Sequence, residues 1–420
     1  MIRFLRDNPA FARLWAGQLL CQSSTRMFQI AIMWWVVGHA GSRPGLTGGL
    51  LLLAGVVPSI VLVNRIGRTV EKAPFRSLLL RCDFFAVAVS GVFGVLALIG
   101  QANIPLLFVV ALLLATFQAF YDPALNRATP LLVDARSLEQ AVAFRASTQS
   151  VANFTGAVVG AIVIGELGLG GMALLNAAGY AASFAFNRML PRAEPEQPAA
   201  GEPPAEGGQP VVATDAPKEE GAWRSLRHFP DIRQLLFAFA VLNFFGMPTL
   251  IVLPTYVKWT LGGTANTLAM VEACLWLGLI AGTFGANKIP VAGKKAVGLS
   301  ALCMALMGVS ILVAGIAINT VIYCAVLIVY SAALGISNVK MVAWFQTNVP
   351  DSHKGRFFAA MQAVCTAAAP LAYAVFGQGL DTIGPPRACI VQAIGILLVS
   401  IWIYSISRRA SLRPTETQLA

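Results

Sequence analysis

The side chains that could bind a ligand lie inside long apolar runs. Gln18, Gln22, Arg26 and Gln29 recur at helical spacing within the run at about 14–38, so one face of this predicted helix carries a polar stripe. If the run crosses a membrane, an unpaired arginine near the bilayer midplane costs at least ~2.5 kcal/mol. We therefore expect the stripe to line a wet cavity, with Arg26 meeting either a carboxylate of the protein or an acidic group of a substrate.

Two carboxyl groups in apolar runs could carry a proton. Glu272 lies about one turn into a predicted helix, and Asp83 lies about two turns into another, near Arg81. Burial favours the neutral form of a carboxyl group, so such a group can release a proton when its surroundings become wet. We predict Glu272 as the leading proton-coupling residue and Asp83 as the second candidate. For Asp83 we favour a structural role, as a partner of the basic cytoplasmic segment at 67–76.

Further polar residues in the second half of the chain are candidates for the same cavity. Asn243 and Asn338 are predicted to line it, and Ser331 shares a helix face with Asn338. Lys340 lies roughly opposite that face by the 3.6-residue period. Either face could line the cavity, and Lys340 could instead extend to the cytoplasmic edge.

The remaining reactive side chains form no recognisable catalytic or metal site. None of the seven cysteines has CxxC spacing, and the three histidines fall in different predicted loops. The sequence contains neither the phosphate-binding pattern GxxxxGK[ST] nor the nucleophile pattern GxSxG. We therefore expect no enzyme activity, no metal and no other cofactor, and we expect the cysteines to serve packing.

The composition places these residues in a membrane. Of 420 residues, 57% are hydrophobic and 12% are charged, with a mean hydropathy of +0.71, which exceeds what a soluble core can bury. The apolar runs are continuous and do not alternate, which favours helices over a β-barrel. We predict an all-α protein with twelve transmembrane helices, at about 14–38, 46–66, 77–99, 104–121, 146–165, 169–190, 233–257, 267–289, 297–317, 320–345, 357–377 and 387–407.

The basic residues are distributed asymmetrically between the two sides of these helices. With both termini cytoplasmic, 25 of the 30 lysines and arginines fall on the inner side, and the predicted outer loops keep only Arg43, Lys258 and Arg387. This is the positive-inside pattern. It predicts a multi-pass protein of the cell inner membrane, and it explains the net charge of +11 without a nucleic-acid partner.

The polar stretch 191–230 divides the chain. It contains eight prolines and few apolar residues, so we expect a disordered cytoplasmic linker, reaching roughly 35 Å, between domains at 1–190 and 231–420. NPAFARLW at 8–15 resembles FPDIRQLL at 229–236, an offset of 221, and two further matches have offsets of 223 and 220. We therefore predict two pseudo-symmetric six-helix bundles in the same orientation, a layout of secondary transporters whose site lies between the halves.

Five sequence segments carry a family resemblance that extends over nearly the whole chain. They are FARLWAGQLL with FQIAIMWW, FYDPALNRATPLLV, GMPTLIVLP, EACLWLGLIAG and FQTNVPDSHKGRFFAAMQA. The chain thereby resembles the major facilitator superfamily, and within it the macrolide-efflux branch close to enterobactin-type siderophore exporters. The resemblance implies a monomer in the lipid bilayer that exports a small amphiphilic molecule by alternating access, with protons as the coupling ion.

One cytoplasmic loop is similar to a motif of this superfamily. Gly67, Glu71, Lys72 and Arg76 fit G-x-x-x-D-R-x-x-R/K-R/K, with Glu in place of Asp and Lys in place of Arg. In the family this loop latches the two halves on the cytoplasmic side, and a carboxylate near a helix end suits such a breakable contact. The alternative is that these charges only determine topology.

Two departures from the family leave the coupling and the substrate open. Leu114 stands where many proton-driven relatives have an arginine, and Ala157 stands where they often have a proline. A macrolide-like drug is the substrate that the resemblance implies, whereas Arg26 favours an anionic metabolite such as a siderophore. Import, uniport, or a membrane sensor or scaffold that does not transport are the remaining alternatives.

Overall fold

The computed structural model describes residues 2–134, 137–191, 230–291, 293–349 and 351–408, and these ranges contain no strand. Their helices are α1 (Ile2–Asp7), α2 (Pro9–His39), α3 (Pro44–Val61), α4 (Val63–Lys72), α5 (Phe75–Leu98), α6 (Ile104–Leu131), α7 (Leu138–Arg188), α8 (Pro230–Gly246), α9 (Thr249–Thr255), α10 (Ala265–Ala286), α11 (Lys294–Ile316), α12 (Thr320–Asn348), α13 (Asp351–Ile383) and α14 (Pro385–Arg408). A π-helical turn, Tyr256–Thr260, follows α9.

The helices account for twelve membrane passages in the described ranges. Nine segments there are long and apolar enough to span a bilayer by length and composition alone. The other three are α2, the first arm of α7 and α13, in which polar residues interrupt the apolar sequence. The prediction of an all-α protein with twelve transmembrane helices is confirmed, and the most polar spanning helices are the ones that composition alone does not find.

Several of the described helices are longer than the sequence predicts, and α13 extends six residues beyond its predicted range of 357–377 at each end. α6 continues ten residues past its predicted end at 121 and passes through Pro123, because Ala124, Leu125 and Ala128 extend its buried face. α7 contains two predicted helices joined at Gly168, whose φ of 57° breaks the helical geometry. Glycine adopts this conformation without the steric cost that a Cβ would add.

The chain divides into two compact units. One contains the described residues of Met1–Glu206 with Thr264–Met270, and the other contains those of Gly207–Gly263 with Val271–Ala420. Apart from its end residues Pro191 and Pro230, the predicted linker lies outside the described residues.

In the first unit, an apolar cluster joins the helix ends on one side. Phe4 of α1 stacks on Phe144 of α7 at 5.2 Å and meets Phe11 of α2 edge-on at 5.5 Å. Ile66 and Val70 of α4 are buried in the same cluster. The short helix α4 is therefore held by one apolar face, and its basic residues remain on the other.

In the second unit, close helix contacts depend on small residues and on polar side chains that bond to backbone. A Cβ at Gly308 of α11 would lie 2.6 Å from Leu397 Cγ of α14, so these helices approach closely there. Ser400 of α14 donates to the carbonyl of Ala301 at 2.7 Å. Such contacts supply much of the helix association in a bilayer, where the hydrophobic effect does not drive helices together.

Candidate functional site

The polar stripe on α2 consists of paired side chains. Gln22 Nε2 donates to Gln18 Oε1 at 3.3 Å, and Arg26 donates to Gln29 Oε1 at 3.4 Å. Gln18 is 4% exposed, whereas Gln29 is exposed, so the stripe runs from the interior of the helix bundle towards its surface. Gln22 Oε1 is buried and accepts no hydrogen bond from any described residue. The stripe therefore presents an acceptor that a bound hydroxyl or amide group could satisfy.

Arg26 lies where α2 closely approaches α7. A Cβ at Gly156 would lie 2.7 Å from Arg26 Cβ and 3.0 Å from the Ser23 carbonyl oxygen. Ser23 Oγ and Thr155 Oγ1 share a hydrogen bond of 3.0 Å at the same level. The missing side chain at Gly156 thus allows the stem of Arg26 to pack between the two helices.

Asp83 of α5 lies in a buried polar cluster with α6 and α7. It is fully buried, and its Oδ2 accepts hydrogen bonds from Asn187 Nδ2 at 2.7 Å and from Ser183 Oγ at 3.1 Å. Tyr121 of α6 completes the cluster, because its hydroxyl lies 3.2 Å from Ser183 Oγ and 3.1 Å from Asn187 Nδ2. The partners of Asp83 are therefore neutral side chains of α7 and not the basic residues of the predicted latch.

A second polar group lies further along the same face of α7. Asn176 Oδ1 accepts from Thr25 Oγ1 at 3.0 Å and from Ser24 Oγ at 3.4 Å, while Asn176 Nδ2 donates to Ser90 of α5 at 3.1 Å. A Cβ at Gly179 would lie 2.7 Å from Ser24 Cβ, so the glycine allows this contact between α2 and α7. Both polar groups are thus built on one face of α7.

The other predicted cavity residues lie in the second unit. Glu272 is buried in α10, with 8% of its surface exposed, and Asn338 of α12 is half-buried. Asn243 donates to the carbonyl of Phe239 at 2.8 Å and to Cys365 Sγ at 3.5 Å, which connects α8 to α13.

Lys340 is bound at the end of a neighbouring helix. Its Nζ donates at 2.7 Å to the carbonyl of Ile289, just beyond the end of α10 at Ala286. A cation suits this position, because the C-terminal end of a helix carries a partial negative charge. Of the positions that the sequence leaves open for Lys340, this contact favours the edge of the bundle.

The predicted latch segment is helical and not a loop. Gly67, Glu71 and Lys72 belong to α4, and Arg76 belongs to the first turn of α5. Arg76 Nη2 donates at 2.5 Å to the carbonyl of Arg188, the last residue of α7, within the first unit. The observed role of Arg76 is thus to cap a helix end, and a contact of this segment with the second half stays a prediction.

Arg127 has a structural role that its expected place among the basic residues of the inner side does not reveal. Its Nη1 donates to three carbonyls at the C-terminal end of α4, those of Val70, Glu71 and Ala73, at 2.9 Å for Glu71. Its place in the segment FYDPALNRATPLLV is its only sequence signal.

The polar face of α7 had a signal that could have been found. Asn176, Tyr180, Ser183 and Asn187 are spaced at intervals of three and four residues in an otherwise apolar helix. This is the spacing that identifies the stripe on α2, so the same reasoning applied to α7 would have found this polar face, although not its contact with Asp83.

Comparisons with known proteins agree with this architecture. The family model of the Major Facilitator Superfamily matches residues 14–373. Macrolide efflux protein A of Streptococcus pyogenes is 22% identical over 407 residues, covering 93% of this chain and 94% of that protein. Among solved structures, the nucleoside transporter NupG has a TM-score of 0.72 at 12% identity, covering 95% of this chain and 99% of its own. A bacterial homologue of the iron transporter ferroportin has a TM-score of 0.69 at 13% identity, covering 96% of this chain and 99% of its own.

The two solved structures show the fold, and the family match shows the membership. The family match extends from α2 into α13, so the predicted resemblance to this superfamily is confirmed. The chain belongs to the Major Facilitator Superfamily and is a multi-pass membrane transporter with that superfamily's fold of twelve helices in two pseudo-symmetric six-helix bundles.

Proposed function

We propose that this protein exports a small hydroxylated amphiphile, of the macrolide type, from the cytoplasm across the inner membrane by alternating access in exchange for protons. The observation that carries the proposal is the polar stripe of α2, in which the buried Gln22 Oε1 has no hydrogen-bond donor among the described residues. A spanning helix tolerates such a stripe where a polar or wet surface faces it. The name of the Streptococcus pyogenes relative supports export and the macrolide class.

The test compares drug accumulation in cells that lack their own efflux pumps. Cells that express the full chain are expected to accumulate less radiolabelled erythromycin than cells that carry an empty vector. Gln22→Leu removes the free acceptor and is expected to restore most of the accumulation, whereas Leu20→Ala, at an exposed apolar position of the same helix, is expected to leave export intact. Equal accumulation with and without the protein would contradict the proposal.

A second candidate substrate is an anionic metabolite such as a siderophore. It is favoured by Arg26, a cation that the stripe places between Gln22 and Gln29 on one face of α2. In the same cells, export of a catecholate siderophore that Arg26→Gln abolishes, without export of erythromycin, would favour this candidate. Export of erythromycin alone would exclude it.

A further inference from the structure

The hydrogen bonds around Asp83 can be counted donor by donor. Asn187 uses its two N–H groups on Asp83 Oδ2 and on the Tyr121 hydroxyl. The Tyr121 hydroxyl then donates to Ser183 Oγ, and Ser183 donates to Asp83 Oδ2. Every donor of the cluster is thereby used.

Two buried acceptors remain after this count. Asp83 Oδ1 and Asn187 Oδ1 are both buried and receive no hydrogen bond from any described residue. Leaving a buried acceptor unsatisfied is costly, and an ionised carboxylate without a positive partner is costlier still. One hydrogen atom on Asp83 Oδ1 would supply the donor that the cluster lacks.

No positive charge in the described surroundings replaces that hydrogen. The titratable groups near Asp83 are Cys21 on α2, Cys82 on α5, Tyr121 on α6 and Tyr180 on α7, and Asp122 on α6 lies near Cys21. None of these side chains is basic, and Arg145 of α7 acts on Asp122. The surroundings therefore offer an ionised Asp83 only neutral hydrogen-bond donors.

We propose that Asp83 is the proton-carrying residue of this transporter and that in the present conformation it is a neutral acid whose Oδ1–H is directed at Asn187 Oδ1. This inference rests on the proposed proton coupling, and it transfers the leading role from Glu272 to Asp83. Only a proton moves in the step: the O–H bond of Asp83 breaks, the carboxylate keeps the electron pair, and the proton passes to a neighbouring oxygen or water.

A polar path connects Asp83 with the stripe of α2. Cys21 lies near Asp83 and also near Thr25 and Tyr180. Thr25 precedes Arg26 in the sequence and bonds to Asn176. The protonation state of Asp83 can therefore affect the stripe through contacts between α2 and α7, which gives coupling a physical route.

The test detects the proton directly. Infrared spectra of the full-length protein in lipid vesicles at neutral pH are recorded in H2O and in D2O, and one is subtracted from the other. The difference is expected to contain the carbonyl band of a protonated carboxylic acid, which shifts downward in D2O. Asp83→Asn is expected to remove this band, and the matched variant Glu272→Gln is expected to retain it. Asn187→Leu, which removes the acceptor, is expected to shift the band upward, because a carboxylic acid without that hydrogen bond has a stiffer C=O.

The outcomes separate this inference from the proposed function. Loss of the band in Glu272→Gln with retention in Asp83→Asn, or absence of any such band in the wild type, would overturn the assignment even if the protein exports erythromycin. A band that only Asp83→Asn removes supports the assignment even if erythromycin is not exported, since the spectra do not depend on transport.

Discussion

At the scale of single residues, the cluster around Asp83 shows how a carboxyl group is accommodated inside a membrane helix bundle. Its contacts are two hydrogen bonds to neutral side chains, both made to Oδ2. A neutral acid fits these surroundings because it needs no counter-charge and can also donate. The stability of the bundle should therefore depend on the hydrogen-bonding shape of residue 83 and not on its charge.

Two substitutions at this position should separate shape from charge. Asp83→Asn keeps one acceptor and places an N–H donor towards Asn187 Oδ1, so we expect an unfolding free energy close to that of the wild type. Asp83→Leu leaves the donors of Ser183 and Asn187 unsatisfied and is expected to cost about 1–3 kcal/mol for each. Thermal or denaturant unfolding in detergent measures both. Equal destabilisation by the two variants would show that the cluster requires a charged residue.

Arg127 gives a second prediction at this scale. Arg127→Ala removes the donor to three carbonyls at the end of α4. We expect the stability of α4 against local opening to fall by about 1.4 kcal/mol, so that amide hydrogen exchange in this helix becomes roughly tenfold faster. Arg68→Ala is the matched control, because Arg68 is an exposed residue of the same helix. Unchanged exchange in Arg127→Ala would show that the apolar contacts of Ile66 and Val70 hold α4 by themselves.

The residues differ in how far the sequence reveals them. The stripe Gln18, Gln22, Arg26 and Gln29 was predictable because its members are polar, close in sequence and spaced on one helix face. The partners of Asp83 were not identified, because they lie about 100 residues away and only the fold brings them together. Arg127 was not identified because a charge near a helix end also fits the topology pattern.

At the scale of elements, glycines determine how closely α10 and α12 approach. A Cβ at Gly278 would lie 2.9 Å from Ile328 Cα, and a Cβ at Gly282 would lie 2.6 Å from Ala332 Cα. In each of these two contacts, the residue of α12 lies fifty positions after the glycine of α10. The contact therefore advances in the same direction along both helices, which shows that they run parallel. The small-residue spacing of Gly278 and Gly282 is visible in the sequence, but the helix that packs against it is not.

A methyl group at this contact should push the helices apart. We expect Gly282→Ala to lower the unfolding free energy by about 1–3 kcal/mol, because backbone atoms of Ala332 occupy the space that the methyl group needs. Gly285→Ala on the same helix is the control, since nothing lies within 4 Å of a Cβ there. Because alanine has a higher helix propensity than glycine, we expect this variant to be as stable as the wild type or more stable. A stable Gly282→Ala protein would contradict the close approach.

Helix boundaries were predictable where the apolar sequence changes abruptly. α12 begins at its predicted residue, Thr320, because Asn319 caps it by accepting from the amides of Val321 and Ile322. The end of α6 was mispredicted because Pro123 and Pro130 normally terminate helices, whereas here the helix continues to Leu131. The packing that compensates for these prolines is not visible in a local sequence window.

At the scale of the whole molecule, the class of protein followed from physics that acts on composition. Long apolar runs require a bilayer, and a bilayer allows only helices or closed barrels. The number of helices followed from the runs, although α2, the first arm of α7 and α13 are less apolar than the rest. The substrate did not follow, because a few polar contacts determine it and many functions share this fold.

The orientation of the chain gives a prediction at this scale. The excess of basic residues on one side predicts that both termini lie in the cytoplasm and that the segment between α2 and α3 lies outside. Alkaline phosphatase, which is active only outside the inner membrane, is therefore expected to be active when fused after Gly41 and inactive when fused after Ala420. The reverse pattern would contradict the assigned topology.

The most direct test of the central claim, the exchange of substrate for protons, uses purified full-length protein in sealed vesicles with an imposed pH gradient. With the interior more acidic by one unit and one proton exchanged per molecule, we expect erythromycin to accumulate about tenfold inside. A trapped pH indicator should report alkalinisation during the uptake, and Asp83→Asn should abolish both signals. Accumulation that is independent of the gradient, or unchanged in Asp83→Asn, would contradict the account.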